Sequence, residues 1–191
     1  MTTPEQNSPA TTIGQGKYVI RRLATSPQAQ KFIKATTENG GATMDLATSK
    51  LYGENGPEEA ESVGAEPSVL TKRPIATHIY ENQTTLSGEQ FAHEYLRLRT
   101  HGAPGTAMGS WANGGRLEID ASRVFSDPKE ASKAVVGRDQ DASFDFRTFD
   151  DVPYSEHAKR IGSSKKQDKK QKNEVRIPSD AAPGDAKFRN E

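Results

Sequence analysis

Gly109-Ser-Trp-Ala-Asn-Gly-Gly-Arg-Leu-Glu-Ile-Asp-Ala-Ser-Arg-Val-Phe-Ser-Asp127 decides how this chain is read. Ala107 to Ala112 predicts a strand, and Asn113-Gly114 is the turn signal of a two-residue type I′ hairpin. Arg116 to Phe125 predicts the return strand. Along it Leu117, Ile119 and Ala121 alternate with Glu118, Asp120 and Ser122, the period of two that goes with a sheet buried on one face. Asp127-Pro128-Lys129-Glu130 then opens a helix. Aspartate caps, proline suits the first helical position and Glu130 completes a capping box. That helix runs to about Arg138.

Outward from this hairpin, the same logic predicts further elements. Ser26-Pro27 starts a helix that Gly40-Gly41 stops. Ala42 to Leu46 predicts a short strand, followed by a turn at Thr48-Ser49-Lys50. Val69 to Lys72 and Ile75 to Tyr80 read as extended around Pro74, which places that strand at a sheet margin. Ser87-Gly88-Glu89-Gln90 is a capping box for a helix in which Phe91, Tyr95 and Leu98 form one apolar stripe ending at His101-Gly102. Ala142 to Phe149 alternates again, with Phe144 and Phe146 on one face, and reads as the last strand. The expected class is α+β: a small, mostly antiparallel sheet packed on about three helices.

Three segments fall outside this domain-like pattern. Residues 1–22 are rich in Thr, Ser, Gln and Pro around the patch Tyr18-Val19-Ile20, and predict a disordered tail with a docked strand near 17–23. Residues 53–67 carry Glu54, Glu58, Glu59, Glu61 and Glu66 with no base, and predict an acidic loop. Residues 153–191 predict a basic disordered tail, with eight bases against two acids over 159–176. The expected domain is therefore 23–152.

Composition excludes several chemistries. The 191-residue chain has no cysteine, so disulfide frameworks, thiolate metal sites and cysteine nucleophiles are excluded. Its 26 basic and 26 acidic residues balance, and no stretch approaches the length of about 20 apolar residues needed for a membrane span. Neither a secretory leader nor a membrane partner is expected, and the predicted location is the cytoplasm of a host cell, or a virion. The low hydrophobic fraction of 32% fits one ordinary domain diluted by polar tails.

The motif pattern resembles small domains encoded by phages and mobile elements of actinobacteria. It is carried by Gly40, Gly41, Asp45, Thr48 and Lys50, then by Gly109, Trp111, Asp120, Ser122, Arg123 and Val124, and finally by Ala142, Phe144 and Asp145. It spans about residues 26–150. The resemblance implies a phage or phage-derived origin and assigns no activity.

Asp120, Ser122 and Arg123 at the end of a strand are the candidate polar site. Arginine suits a carboxylate or phosphate and aspartate a proton. The competing and heavier reading is structural, with Asp120 and Arg123 paired across the sheet. Trp111 reads as a core anchor ahead of a platform at the sheet edge. His93-Glu94 matches the start of a zinc motif, but Arg97 stands where the second histidine belongs. His93, Arg97 and His101 therefore read as a solvated helix face. His78 and His157 show no partner in the sequence.

No cofactor or metal is expected. Lys165, Lys166, Lys169, Lys170 and Lys172 form a tract able to bind nucleic acid by counterion release, without interleaved aromatic residues to stack on bases. The leading expectation is a non-enzymatic phage-type accessory or virion-associated protein acting by protein–protein contact. The alternatives are non-specific nucleic-acid association through the lysine tract, and an enzyme built around Asp120 and Arg123.

Overall fold

The computed structural model describes residues 9–162 and 174–177, with side chains described over 16–162. In chain order the elements are α1 (Pro9–Ala24), α2 (Pro27–Asn39), β1 (Gly41–Asp45), β2 (Glu61–Val63), β3 (Thr77–Glu81), α3 (Gly88–His101), β4 (Thr106–Asn113), β5 (Arg116–Phe125), α4 (Pro128–Gly137), β6 (Ala142–Asp145), β7 (Asp150–Pro153), α5 (Tyr154–Ile161) and β8 (Glu174–Ile177). The class is α+β, with five helices among the described residues where about three were expected.

The β4–β5 hairpin is the spine of the sheet. Thr106 pairs with Arg123 at one end of the ladder and Asn113 with Arg116 at the other. The turn residues are Gly114 and Gly115, both at positive φ (60° and 79°), as a type I′ turn requires, one position beyond the expected Asn113-Gly114, since Asn113 pairs with Arg116 in the ladder. The sheet order is β1-β4-β5-β2-β6-β7, and β3 occupies the other half of the β5 edge beside β2. All of these neighbours are antiparallel. β8 lies parallel on the outer edge of β3.

Register sorts the side chains into faces. Met44, Met108 and Ala121 line one face, with Ile119, Leu117 and Tyr80 beside them. They pack with Phe32 of α2 and with Phe91, Tyr95 and Leu98 of α3 into the main core. A second core joins Val63 of β2 to Ala131 and Val135 of α4 and to Tyr154 and Ala158 of α5. The predicted caps form: Ser26 Oγ accepts from the Ala29 amide, and Ser87 and Gln90 close a reciprocal box. At α4 Asp127 caps the Lys129 amide, but Glu130 pairs with Lys133 at 2.6 Å and leaves the box open.

Several expectations are corrected. The expected tail 1–22 contains α1 over 9–24 in place of a docked strand, because Val19 and Leu23 repeat at helical spacing; residues 1–8 lie outside the described residues. The acidic segment 53–67 contains β2, and Glu61 and Glu66 in it are buried. The sheet margin near 69–72 is a turn, and the strand begins at Thr77. The alternating stretch 142–149 turns after Asp145, with Phe149 at φ 57°, and β7 follows. The ordered domain continues past residue 152 into α5, which buries Tyr154, His157 and Ala158 at helical spacing. The lysine tract at 165–172 lies outside the described residues. Among the described residues no helix is long and apolar enough to cross a membrane.

Candidate functional site

The β4–β5 ladder places Trp111, Glu118, Asp120 and Ser122 on one face of the sheet and Arg123 on the other. Trp111 is not a core anchor. Its cross-strand neighbours are Gly41, which has no side chain, and Glu118, whose carboxylate is taken by Arg116 at 2.7 Å. The indole is left 47% exposed.

Asp120 sits between two glycines. A Cβ on Gly64 would lie 2.2 Å from Asp120 Oδ2, and one on Gly109 would lie 2.3 Å from Oδ1. Both positions need glycine because the carboxyl occupies the space, together with Gln140 Oε1 at Gly64 and Ser122 Oγ at Gly109. Ser122 Oγ donates to Asp120 Oδ1 at 2.9 Å. Burial raises the pKa of Asp120 above the ordinary carboxylate range, and the Ser122 hydrogen bond only partly opposes this.

The Asp120–Arg123 pairing does not form. Arg123 donates through Nε to Glu66 Oε1 at 2.8 Å, and Arg138 donates to Glu66 Oε2 at 2.5 Å. Arg138 also reaches the Gly64 carbonyl at 3.0 Å. Glu66 thus pins β5 to the chain between β2 and β3, where its own amide bonds the Ala121 carbonyl.

Two histidines that lacked a visible partner in the sequence sit in buried polar networks. Under α3, Glu94 Oε1 accepts from the Tyr80 hydroxyl and meets His78 Nδ1, both at 2.6 Å. Arg97 Nε donates to Glu94 Oε2 at 2.8 Å, and its Nη1 donates to the Ala76 carbonyl at 2.9 Å. Burial alone would raise the pKa of Glu94, but the His78 hydrogen bond and the Arg97 charge reverse the direction and hold it below the usual carboxylate value. Glu94 and Arg97 therefore form an internal clamp on β3, which corrects the expected solvated face of His93, Arg97 and His101 at Arg97; His93 and His101 are half-buried and take no part in the clamp.

The second network lies between β2, β6 and α5. His157 Nε2 is 3.0 Å from Ser143 Oγ, and Nδ1 is 3.0 Å from Ser132 Oγ. Ser143 Oγ donates to Glu61 Oε1 at 2.5 Å, while Arg147 and Arg160 approach Glu61 Oε2 at 3.3 and 3.4 Å. Serine, histidine and carboxylate are the parts of a hydrolytic triad, yet here the serine bonds the carboxylate directly instead of through the histidine. His157 Nε2 also faces the Val152 carbonyl at 3.1 Å, which can only accept, while the Ser132 hydroxyl beside Nδ1 donates to the Pro128 carbonyl at 2.7 Å. Burial lowers the pKa of His157, and the nearby Glu61 carboxylate only partly opposes this. Ser143 gives its proton to Glu61 rather than to His157. His157, Glu61, Ser132 and Ser143 are all at most 4% exposed. This arrangement locks α5 onto the sheet.

A concave feature with an open mouth lies elsewhere among the described residues. α1 and α3 enclose a cleft of about 710 Å³, lined by Tyr18, Val19, Arg22 and Leu23 of α1 and by Leu96 and Arg99 of α3. Tyr18 is 65% exposed and Val19 44%. Arg22 has no acidic partner among the described residues, whereas Arg99 Nη1 donates to the Leu46 carbonyl at 2.7 Å and to the Tyr95 hydroxyl at 2.9 Å. Tyr18, Val19, Arg22 and Leu23 share one helix face. Sequence reading missed them because residues 1–22 looked too polar to fold.

No group of His, Asp or Glu side chains suited to a metal ion occurs among the described residues. Comparison with protein-family models, curated proteins and solved structures finds no match to this chain.

Proposed function

We propose that this chain is a non-enzymatic accessory protein of phage type, acting by protein–protein contact through the α1–α3 cleft. The carrying observation is the cleft itself. Tyr18 and Val19 stand exposed beside half-buried Leu23 on one helix face, next to a cationic rim at Arg22 and Arg99. That lining suits an apolar segment of a partner protein bearing acidic residues, since a cation facing an acid sets register and on-rate at such a contact. The phage-type element of the reading rests on the resemblance carried by Gly109, Trp111, Asp120, Ser122 and Arg123. Asp120, Ser122 and Arg123, the alternative catalytic set, are divided between two faces of the sheet.

The reading is tested by immobilising the full-length protein and a Tyr18→Asp/Arg22→Glu variant, then exposing both to extracts of the native host and to disrupted virions. Both substituted positions are exposed, so the fold is expected to survive. A polypeptide retained by the wild type and lost on the variant supports the reading. Equal retention by both contradicts the cleft as its basis.

A further inference from the structure

We infer that the outer edge of β3 is a docking site for an extended peptide segment, and that residues 174–177 of the same chain are its tethered ligand. The argument is independent of the α1–α3 cleft.

β3 is unusual among the strands in how it is held. One edge pairs with Arg116–Ile119 of β5. From the helix side, Glu94 grips both His78 and Tyr80, and Arg97 grips the Ala76 carbonyl just before the strand. Ile79, between the two gripped residues, is fully buried. Both side-chain faces and one backbone edge are thus fixed before anything reaches the second edge. A rigid strand with one open row of amides and carbonyls is a preorganised acceptor for strand addition, in which main-chain hydrogen bonds supply affinity.

That second edge is covered only by β8 among the described residues. The register is Thr77 with Glu174, His78 with Val175, Ile79 with Arg176 and Tyr80 with Ile177. Two features make β8 exchangeable. Among the described residues it pairs on one side only, and its pairing is parallel, slightly less stable per residue than antiparallel pairing. A strand joined to its acceptor through a short stretch of the same chain competes at an effective concentration on the order of millimolar. Such a tethered strand keeps the edge from templating aggregation, while a partner's extended segment of higher affinity can displace it.

The test uses the full-length chain. Adjacent amides in a strand point in opposite directions, so Val175→Pro with Arg176→Pro removes whichever amide faces β3. Hydrogen exchange over residues 77–81 is compared in wild type and variant, with circular dichroism showing both folded. A fluorescein-labelled peptide of residues 172–179 is then titrated into each and followed by anisotropy. The expected result is faster exchange of β3 in the variant, with peptide binding at least tenfold tighter to the variant than to wild type. A peptide carrying the same two prolines is expected not to bind. Unchanged β3 exchange in the variant overturns the inference, as does labelled peptide that binds neither protein or both equally. A concentration-dependent wild-type dimer that the prolines abolish also overturns it, because the ligand would then be a second copy.

Discussion

Replacing Glu94 with alanine tests the reasoning about buried charge most severely. The carboxylate is 3% exposed and receives hydrogen bonds or ion pairs from His78, Tyr80 and Arg97. Arg97 is itself only 12% exposed, so deleting Glu94 leaves a guanidinium in the interior without its counter-ion. Removing one member of a buried pair costs about 3–5 kcal/mol. Since about 1 kcal/mol shifts the melting temperature of a chain of this size by 2–4 °C, the expected loss is about 6–20 °C. The cycle with Arg97→Met separates the contributions: the double variant should be less destabilised than the sum of the singles, because no uncompensated charge remains.

The pH dependence of that variant has a defined sign. The folded pKa of Glu94 lies below its unfolded value, so its stabilisation is present above the ordinary carboxylate pKa and disappears as pH falls through the folded value. The Glu94→Ala chain should therefore lose less stability than wild type on acidification below about pH 4.5. Urea unfolding at pH 7 and at pH 3.5 measures both effects. A loss under about 1 kcal/mol at pH 7, or strict additivity with Arg97→Met, would refute the clamp.

Other sites make separate predictions. His157 is buried with a lowered pKa, so wild-type stability should fall as pH drops from the unfolded histidine value of about 6.5 through the lower folded value, and His157→Gln should flatten that slope in thermal melts. Gly109→Ala puts a methyl 2.3 Å from Asp120 Oδ1 and 2.7 Å from Ser122 Oγ and should cost about 1–3 kcal/mol; adding Asp120→Gly should recover part of it in chemical unfolding, and no recovery would mean the carboxyl is not what fills the space. Asp120 has a raised folded pKa, so the stability its neutral form contributes is lost as pH rises through that value; Asp120→Asn should raise the melting temperature at pH 7 relative to wild type and matter little at pH 3.5.

The β4–β5 hairpin and the helix starts were legible because turn chemistry and caps are local. Gly114, Ser87 and Asp127 act on residues within three positions of themselves. The two terminal helices were hidden for different reasons. α1 is written in Thr, Gly and Gln, which suggest disorder until Val19 and Leu23 are counted at helical spacing. α5 carries a readable stripe in Tyr154, His157 and Ala158, overshadowed by the lysines that follow. The acidic segment was misread because its partners are remote. Glu61 meets Arg147 and Arg160, and Glu66 meets Arg123 and Arg138, at separations of 57 to 99 residues. Nothing local distinguishes such a glutamate from a solvated one. Trp111 shows the converse: aromatic size favours burial, but Gly41 across the ladder leaves the ring uncovered.

Function by contact through the α1–α3 cleft is tested most directly by retention on the paired columns, wild type against Tyr18→Asp/Arg22→Glu. The account predicts a polypeptide from the host extract or virion that elutes from the first column and is absent from the second. The same polypeptide recovered in equal amount from both columns would contradict it.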